Sequence, residues 1–225
     1  MSRTKAKSQE ATTDVVEVKK NELAHESKFT VDSSDIQLPR YSLRQASSKF
    51  KAGETGDLIK DQEYVVIPAS SETDIIFVDV RKKWREQAPF GSQIRGRVAY
   101  TLEEKAAIEE DSEFEVKAAA DLIFLIPEGK GADEDGFNYP LGDTNYALGI
   151  YDTGSKGAYK GTFMQIATFL ATNPAASPAN VMWTWRVVDR EWNGNEWVEP
   201  MLKISRNKVD QDVIDFATNF KNMTA

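Results

Sequence analysis

The residues of this 225-residue chain best suited to chemistry are its five tryptophans, because every one of them lies close to arginine or lysine. Four fall in one stretch, Trp183-Thr184-Trp185-Arg186 followed by Arg190-Glu191-Trp192-Asn193-Gly194-Asn195-Glu196-Trp197. The fifth, Trp84, sits in the basic run Arg81-Lys82-Lys83-Trp84-Arg85. An indole offers a flat face on which a nucleobase can stack, at ~1–3 kcal/mol per base, and a neighbouring cation can meet the phosphate. The candidate contacts for single-stranded DNA are Arg81, Lys82, Lys83, Trp84, Arg85, Arg186, Arg190, Trp192 and Trp197. Lys156 and Lys160 join them from Gly154-Ser155-Lys156-Gly157 and Tyr159-Lys160-Gly161-Thr162, glycine-rich turns entering a helix of the kind that can meet phosphate. A plainer reading stands beside this one. Basic strand ends protect sheet edges, and tryptophans at alternate positions pack into cores or oligomer interfaces.

No catalytic constellation competes. With no cysteine there is no thiolate nucleophile or ligand, and the single histidine, His25, lies in a polar N-terminal stretch. Residues 154–162 lack the spacing of a phosphate-binding Walker loop. Asp133-Glu134-Asp135-Gly136 misses the spacing and terminal glutamate of a calcium loop, and reads as a solvated acidic turn. The expectation is a non-enzyme with no catalytic residues, metal or cofactor.

Positioning the tryptophans requires strands. Asn193-Gly194 between two strand-like runs is a strong hairpin signal, pairing Val181–Trp192 with Glu196–Ile204. Asp74–Glu86 alternates as a long strand. Ile76, Val78, Val80, Lys82 and Trp84 fall on one face and Ile75, Phe77, Asp79, Arg81, Lys83 and Arg85 on the other, with the basic end running out into solvent. Further strands are predicted at Tyr64–Pro68, Ile94–Tyr100, Phe114–Ile126 and Tyr146–Tyr151. Helices are predicted at Ser42–Phe50, at 101–111 behind a Thr101/Glu104 capping box, at Ala158–Thr172, and at 209–222, where Val209, Val213, Phe216 and Phe220 share a face. About seven strands with flanking helices make a β-rich α+β fold, for which a small OB-like barrel is the expectation.

The chain divides into a polar tail, residues 1–35, read as disordered or as an arm, and one domain, 36–225, that includes an acidic loop at 128–142. Net charge is −8, and the acidity is concentrated: residues 101–152 carry 14 acidic and 3 basic side chains. Apolar runs are far too short to span a bilayer, so a soluble, intracellular protein without membrane contact is expected. Trp183 and Trp185 on one hairpin face, with the apolar face of the last helix, predict a homo-oligomer.

The order of segments resembles a family of proteins encoded by tailed bacteriophages. The resemblance is carried by Leu38-Pro39-Arg40-Tyr41-Ser42-Leu43-Arg44-Gln45-Ala46, by Lys160-Gly161-Thr162-Phe163-Met164-Gln165-Ile166, by the Asn-Gly hairpin and by the helix at Asp210–Phe220. It spans most of residues 36–222. It implies an OB-fold protein that binds single-stranded DNA in phage replication or recombination, in the cytoplasm of the infected bacterium, with replication proteins as partners. The chain departs from the family in its mid-chain acidic stretch and its C-terminus, Lys221-Asn222-Met223-Thr224-Ala225, which lacks an acidic tail for recruiting them. The rival expectation is a virion or assembly protein, such as a capsid decoration, connector or tail component.

Overall fold

The computed structural model describes residues 37–89, 94–128 and 136–224. The polar tail, His25 and the Asp133–Asp135 turn lie outside the described residues. Ten strands form one sheet: β1 Arg40–Leu43, β2 Leu58–Lys60, β3 Tyr64–Ile67, β4 Thr73–Glu86, β5 Val98–Ala99, β6 Val116–Pro127, β7 Tyr139–Leu141, β8 Thr144–Asp152, β9 Met182–Trp192 and β10 Asn195–Ile204. The helices are α1 Leu102–Asp111, α2 Gly157–Gly161, α3 Phe163–Thr172 and α4 Gln211–Thr224. The strand order is β10-β9-β4-β6-β8-β1-β2-β3, with β5 added to β4 and β7 to β8. All pairings are antiparallel except β1 with β8. The β-rich α+β class holds, and the sheet curls into a half-barrel.

Burial on both faces explains the central strand. In β6, Leu122, Phe124 and Ile126 enter the larger core with Trp183, Trp185 and Ile166 of α3. Ile123 and Leu125 face the second core, where Val213, Ala217 and Phe220 of α4 cover the sheet. A strand covered on both sides reads as an unbroken apolar run, which is how Leu122–Ile126 appears in the sequence. The neighbouring β4 serves both cores as well, but a bulge between Phe77 and Asp79 shifts its register. Ile75 and Phe77 therefore share the larger core with Val80, against the simple alternation predicted for this strand.

Curling brings the free edge of β10 back toward β1. The Gln45 amide replaces a strand there: its Nε2 donates to the Val198 carbonyl (2.9 Å) and its Oε1 accepts from the Val198 N–H (3.1 Å). Gly161 at the end of α2 lies against the Pro200 carbonyl so closely that a Cβ would collide with it. One side-chain amide and one glycine contact thus cover backbone groups that would otherwise template another strand.

Several expected elements change. Ser42–Phe50 is not helical, because β8 offers an unpaired strand edge and β1 takes it, burying Tyr41 and Leu43. The turns that follow are tied by the Arg44 guanidinium to the carbonyls of Phe50 (3.1 Å) and Ala52. The helix expected over Ala158–Thr172 breaks at the fully buried Thr162 (φ −123°, ψ −79°), where the chain turns from α2 into α3. The acidic loop at 128–142 contains β7, with Pro140 on a short peripheral strand as its missing N–H requires. Only Val98–Ala99 of Ile94–Tyr100 pairs as a strand, while β2 was not foreseen. The two apolar surfaces that motivated self-association are covered within the chain. Trp183 and Trp185 are 1 % and 0 % exposed, and Val213 and Phe220 are buried. Among the described residues no helix is long and apolar enough to cross a membrane.

Candidate nucleic-acid interface

The hairpin builds the first half of the site. Asn193 (φ 52°) and Gly194 (φ 74°) both occupy the left-handed region, as a two-residue type I′ turn demands. That turn pairs Trp192 with Asn195 and so fixes every partner behind it: Arg190 with Trp197, Val188 with Glu199, Arg186 with Met201. Alternation then sorts the side chains. Arg186, Val188, Arg190, Trp192, Trp197 and Glu199 share the outer face. Trp183 and Trp185 point the other way, into the core. There Trp183 meets Phe77 (6.0 Å) and Phe169 (5.4 Å) edge-on, while Trp185 stacks on Phe124 (5.6 Å) and meets Tyr151 (5.4 Å). For these two tryptophans the core reading holds.

The outer face is ordered by Glu199. Its Oε1 accepts from the Trp197 indole N–H (2.7 Å) and its Oε2 from Arg190 Nε (3.2 Å), which fixes the indole beside the guanidinium. Gly157 of α2 lies directly over the same carboxylate, with no room for a Cβ. Lys156, the next residue, therefore stands at the end of this face, and both it and Lys160 are exposed. Arg186 is half-buried; its Nη2 lies 3.0 Å from Met201 Sδ, and its buried Nε has no partner among the described residues. Trp192, at the turn, is 69 % exposed. The acidic residues of the tip, Asp189, Glu191 and Glu196, lie on the opposite face, which leaves Glu199 as the one acid of β9 and β10 on the outer face.

The basic run on β4 behaves differently. Lys82 alone among its residues is exposed, and its Nζ sits 4.9 Å from the centre of the half-buried Trp84 ring, a cation–π contact. Lys83 does not run out into solvent. It is 4 % exposed, with its Nζ 2.5 Å from Asp121 Oδ1 and 2.9 Å from Asp152 Oδ2. Arg85 pairs with Asp152, and Arg81 Nε donates to Asp79 Oδ2 at 2.5 Å. The cause lies in tertiary structure: β6 and β8 set two carboxylates beside the strand, and a buried charge must be paired. Burial works to raise the Asp152 carboxyl, but the Gly154 N–H, Lys83 and Arg85 outweigh it and hold it below its usual value. The Tyr100 hydroxyl donates to Asp121 Oδ2 (2.8 Å), and burial together with that carboxylate pushes the phenol up to about 12.

The structure thus collects Arg186, Arg190, Trp192, Trp197 and Lys156 on or beside one hairpin face, with Lys160 on the adjoining short helix. It places Arg81, Lys82, Lys83, Trp84 and Arg85 apart, most of them engaged. Glu199 was missed by sequence reasoning, although counting back from the two-residue turn would have placed it diagonal to Arg190. Asp121 and Asp152 lie 38 and 69 residues from Lys83 and carry no local signal. Among the described residues no group of three or more His, Cys, Asp or Glu is arranged to hold a metal ion. No family model, no curated protein and no solved structure matches the chain.

Proposed function

We propose that this chain is a single-stranded DNA-binding protein of a tailed bacteriophage, a non-enzyme acting in replication or recombination, and that it holds the strand on the outer face of the β9–β10 hairpin. The observation that carries the reading is the exposed Trp192 beside the Arg190–Glu199–Trp197 group, on a face from which Asp189, Glu191 and Glu196 point away. Bases stack on the indoles, and Arg190, Arg186, Lys156 and Lys160 follow the backbone. The curled sheet supports the strand as an OB-like barrel does, on a larger scale. The phage origin rests on the segment order and motifs quoted above. Overall charge opposes binding to a polyanion, so attraction is local and salt-sensitive.

The test is titration of oligo-dT while following tryptophan fluorescence. Trp183 and Trp185 are shielded and Trp84 lies away from the hairpin, so quenching comes from Trp192 and Trp197. Trp192→Ala should weaken binding by the worth of one stacked base, ~1–3 kcal/mol, and remove part of the quenching. An absence of quenching at low salt rejects the proposal. Recovery of the chain at high copy in purified particles would assign it to virion assembly instead.

A further inference from the structure

Away from the hairpin, a cleft of about 820 Å³ opens where β1 and β8 run beside the end of β4 and the β5 segment. Its volume falls in the range of small-ligand sites, roughly 300–1,000 Å³. Four cations line it, Arg40, Lys83, Arg85 and Arg95, against two carboxylates, Asp121 and Asp152. In a protein of net charge −8 this is a local excess of positive charge. The excess is also available. Lys83 and Arg85 are committed to the two aspartates, whereas the side chains of Arg40 and Arg95 are exposed and pair with no carboxylate among the described residues.

Tyr100 forms an aromatic wall of the same cleft. It is 52 % exposed, yet its hydroxyl is anchored on Asp121, which Lys83 holds in turn. With its phenol pushed up to about 12, Tyr100 stays a protonated donor at neutral pH and the anchor persists. Val98, two residues back and also lining the cleft, adds exposed apolar surface beside it. A ring fixed at its far end with an open face is a preorganised stacking platform. Beside two unpaired arginines it matches a ligand that carries both an aromatic ring and a phosphate.

We infer that this cleft binds one nucleotide unit, with its phosphate between Arg40 and Arg95 and its base against Tyr100. The ligand class rests on the strand-binding reading above, and the unit can come from a free mononucleotide or from one residue of a bound strand. Lys83, Asp121 and Asp152 are positioning residues: they hold Tyr100 and leave the rim arginines unneutralised.

The experiment titrates dTMP by calorimetry and fluorescein-labelled oligo-dT by anisotropy into the full chain and four variants: R40A/R95A, Y100A, Y100F and W192A. Arg40, Arg95 and Trp192 are exposed, so R40A/R95A and W192A should unfold close to the parent's midpoint. Both Tyr100 variants remove the hydroxyl donated to buried Asp121 and should unfold somewhat earlier, so binding is compared at a temperature where all are folded. The expected result is a loss of about tenfold or more in R40A/R95A for whichever probe binds. Y100A should lose about fivefold or more, and Y100F, which keeps the ring but gives up its anchor on Asp121, should fall between Y100A and the parent. Saturable dTMP binding would identify a free nucleotide as the source, and a response confined to oligo-dT would identify the strand. The inference is overturned if R40A/R95A binds as the parent does, or if neither probe binds. Loss of oligo-dT affinity in W192A but not in R40A/R95A would leave the hairpin reading standing and remove the cleft, and the reverse pattern would keep the cleft and remove the hairpin.

Discussion

Replacing Lys83 with methionine tests the buried charge network most directly. The substitution keeps the length of the side chain and removes its charge, so the effect reports on what the ammonium does between Asp121 and Asp152. Removing one partner of a buried ion pair costs about 3–5 kcal/mol, because the other charge is left uncompensated. The structure places this case at the low end. Asp152 retains Arg85 and the Gly154 N–H (2.9 Å), so only Asp121 is stranded, with the Tyr100 hydroxyl as its remaining partner. A cost of about 3 kcal/mol, with a urea m-value of roughly 2 kcal/mol/M, lowers the midpoint by about 1.5 M. Equilibrium urea unfolding followed by tryptophan fluorescence reads this shift. The double variant K83M/D121L removes both charges and should recover most of the loss, since apolar replacements of buried pairs are often neutral or better. A K83M shift below about 0.5 M would contradict a Lys83 buried between two carboxylates, by the same conversion. A double variant as unstable as the single one would trace the loss to packing of the lysine stem.

Two further perturbations have defined outcomes. Glu86 accepts from the Arg97 backbone N–H (2.9 Å) and guanidinium, and from the Ser112 hydroxyl, which hold its carboxyl down at about 2. A carboxylate with a depressed folded pKa contributes stability that is complete above its ordinary value of 4.5 and is lost as pH falls through about 2, so E86Q should flatten the acid limb of thermal unfolding measured between those limits. Gly149 lies under the Tyr41 ring, where a Cβ would stand 2.7 Å from Tyr41 Cζ; Gly149→Ala should therefore destabilise by about 1–3 kcal/mol through overpacking, read as a lower urea midpoint.

What the sequence made legible was chemistry confined to a few neighbouring residues. The capping box is one case: Glu104 N–H donates to Thr101 Oγ1 (3.1 Å), and Thr101 N–H donates back to Glu104 Oε2 (3.2 Å). Asn193-Gly194 is another, and it also carried the register that assembles the hairpin face. Alternation showed that Trp183 and Trp185 share a face, but only the packing of α3 and β6 decided that the face is internal. The bulge in β4 was invisible because both of its sides are apolar, so a skipped residue leaves the pattern intact. Leu58-Ile59-Lys60 is too short to show a period. Its lysine gives no hint that it will be buried, with Nζ donating to the Gly136 carbonyl (3.1 Å) and Asn138 Oδ1 (2.9 Å). The cleft was illegible for the same reason as the Lys83 pairs: Arg40, Arg95, Tyr100 and Asp152 come together only through strand order.

The Gln45–Val198 closure also sets a schedule for synthesis. The two residues are 153 positions apart, and at 5–20 residues per second a ribosome needs roughly 8 to 30 s to make the chain between them. During that interval β1, β2 and β3 can pair among themselves, and β4, β6 and β8 can assemble beside them. The Gln45 amide, however, has no strand to meet until the final hairpin has been made. Closure of the half-barrel is therefore a late event in the nascent protein, and crowding by sister chains on one messenger bears most heavily on the moments before the amide finds its strand.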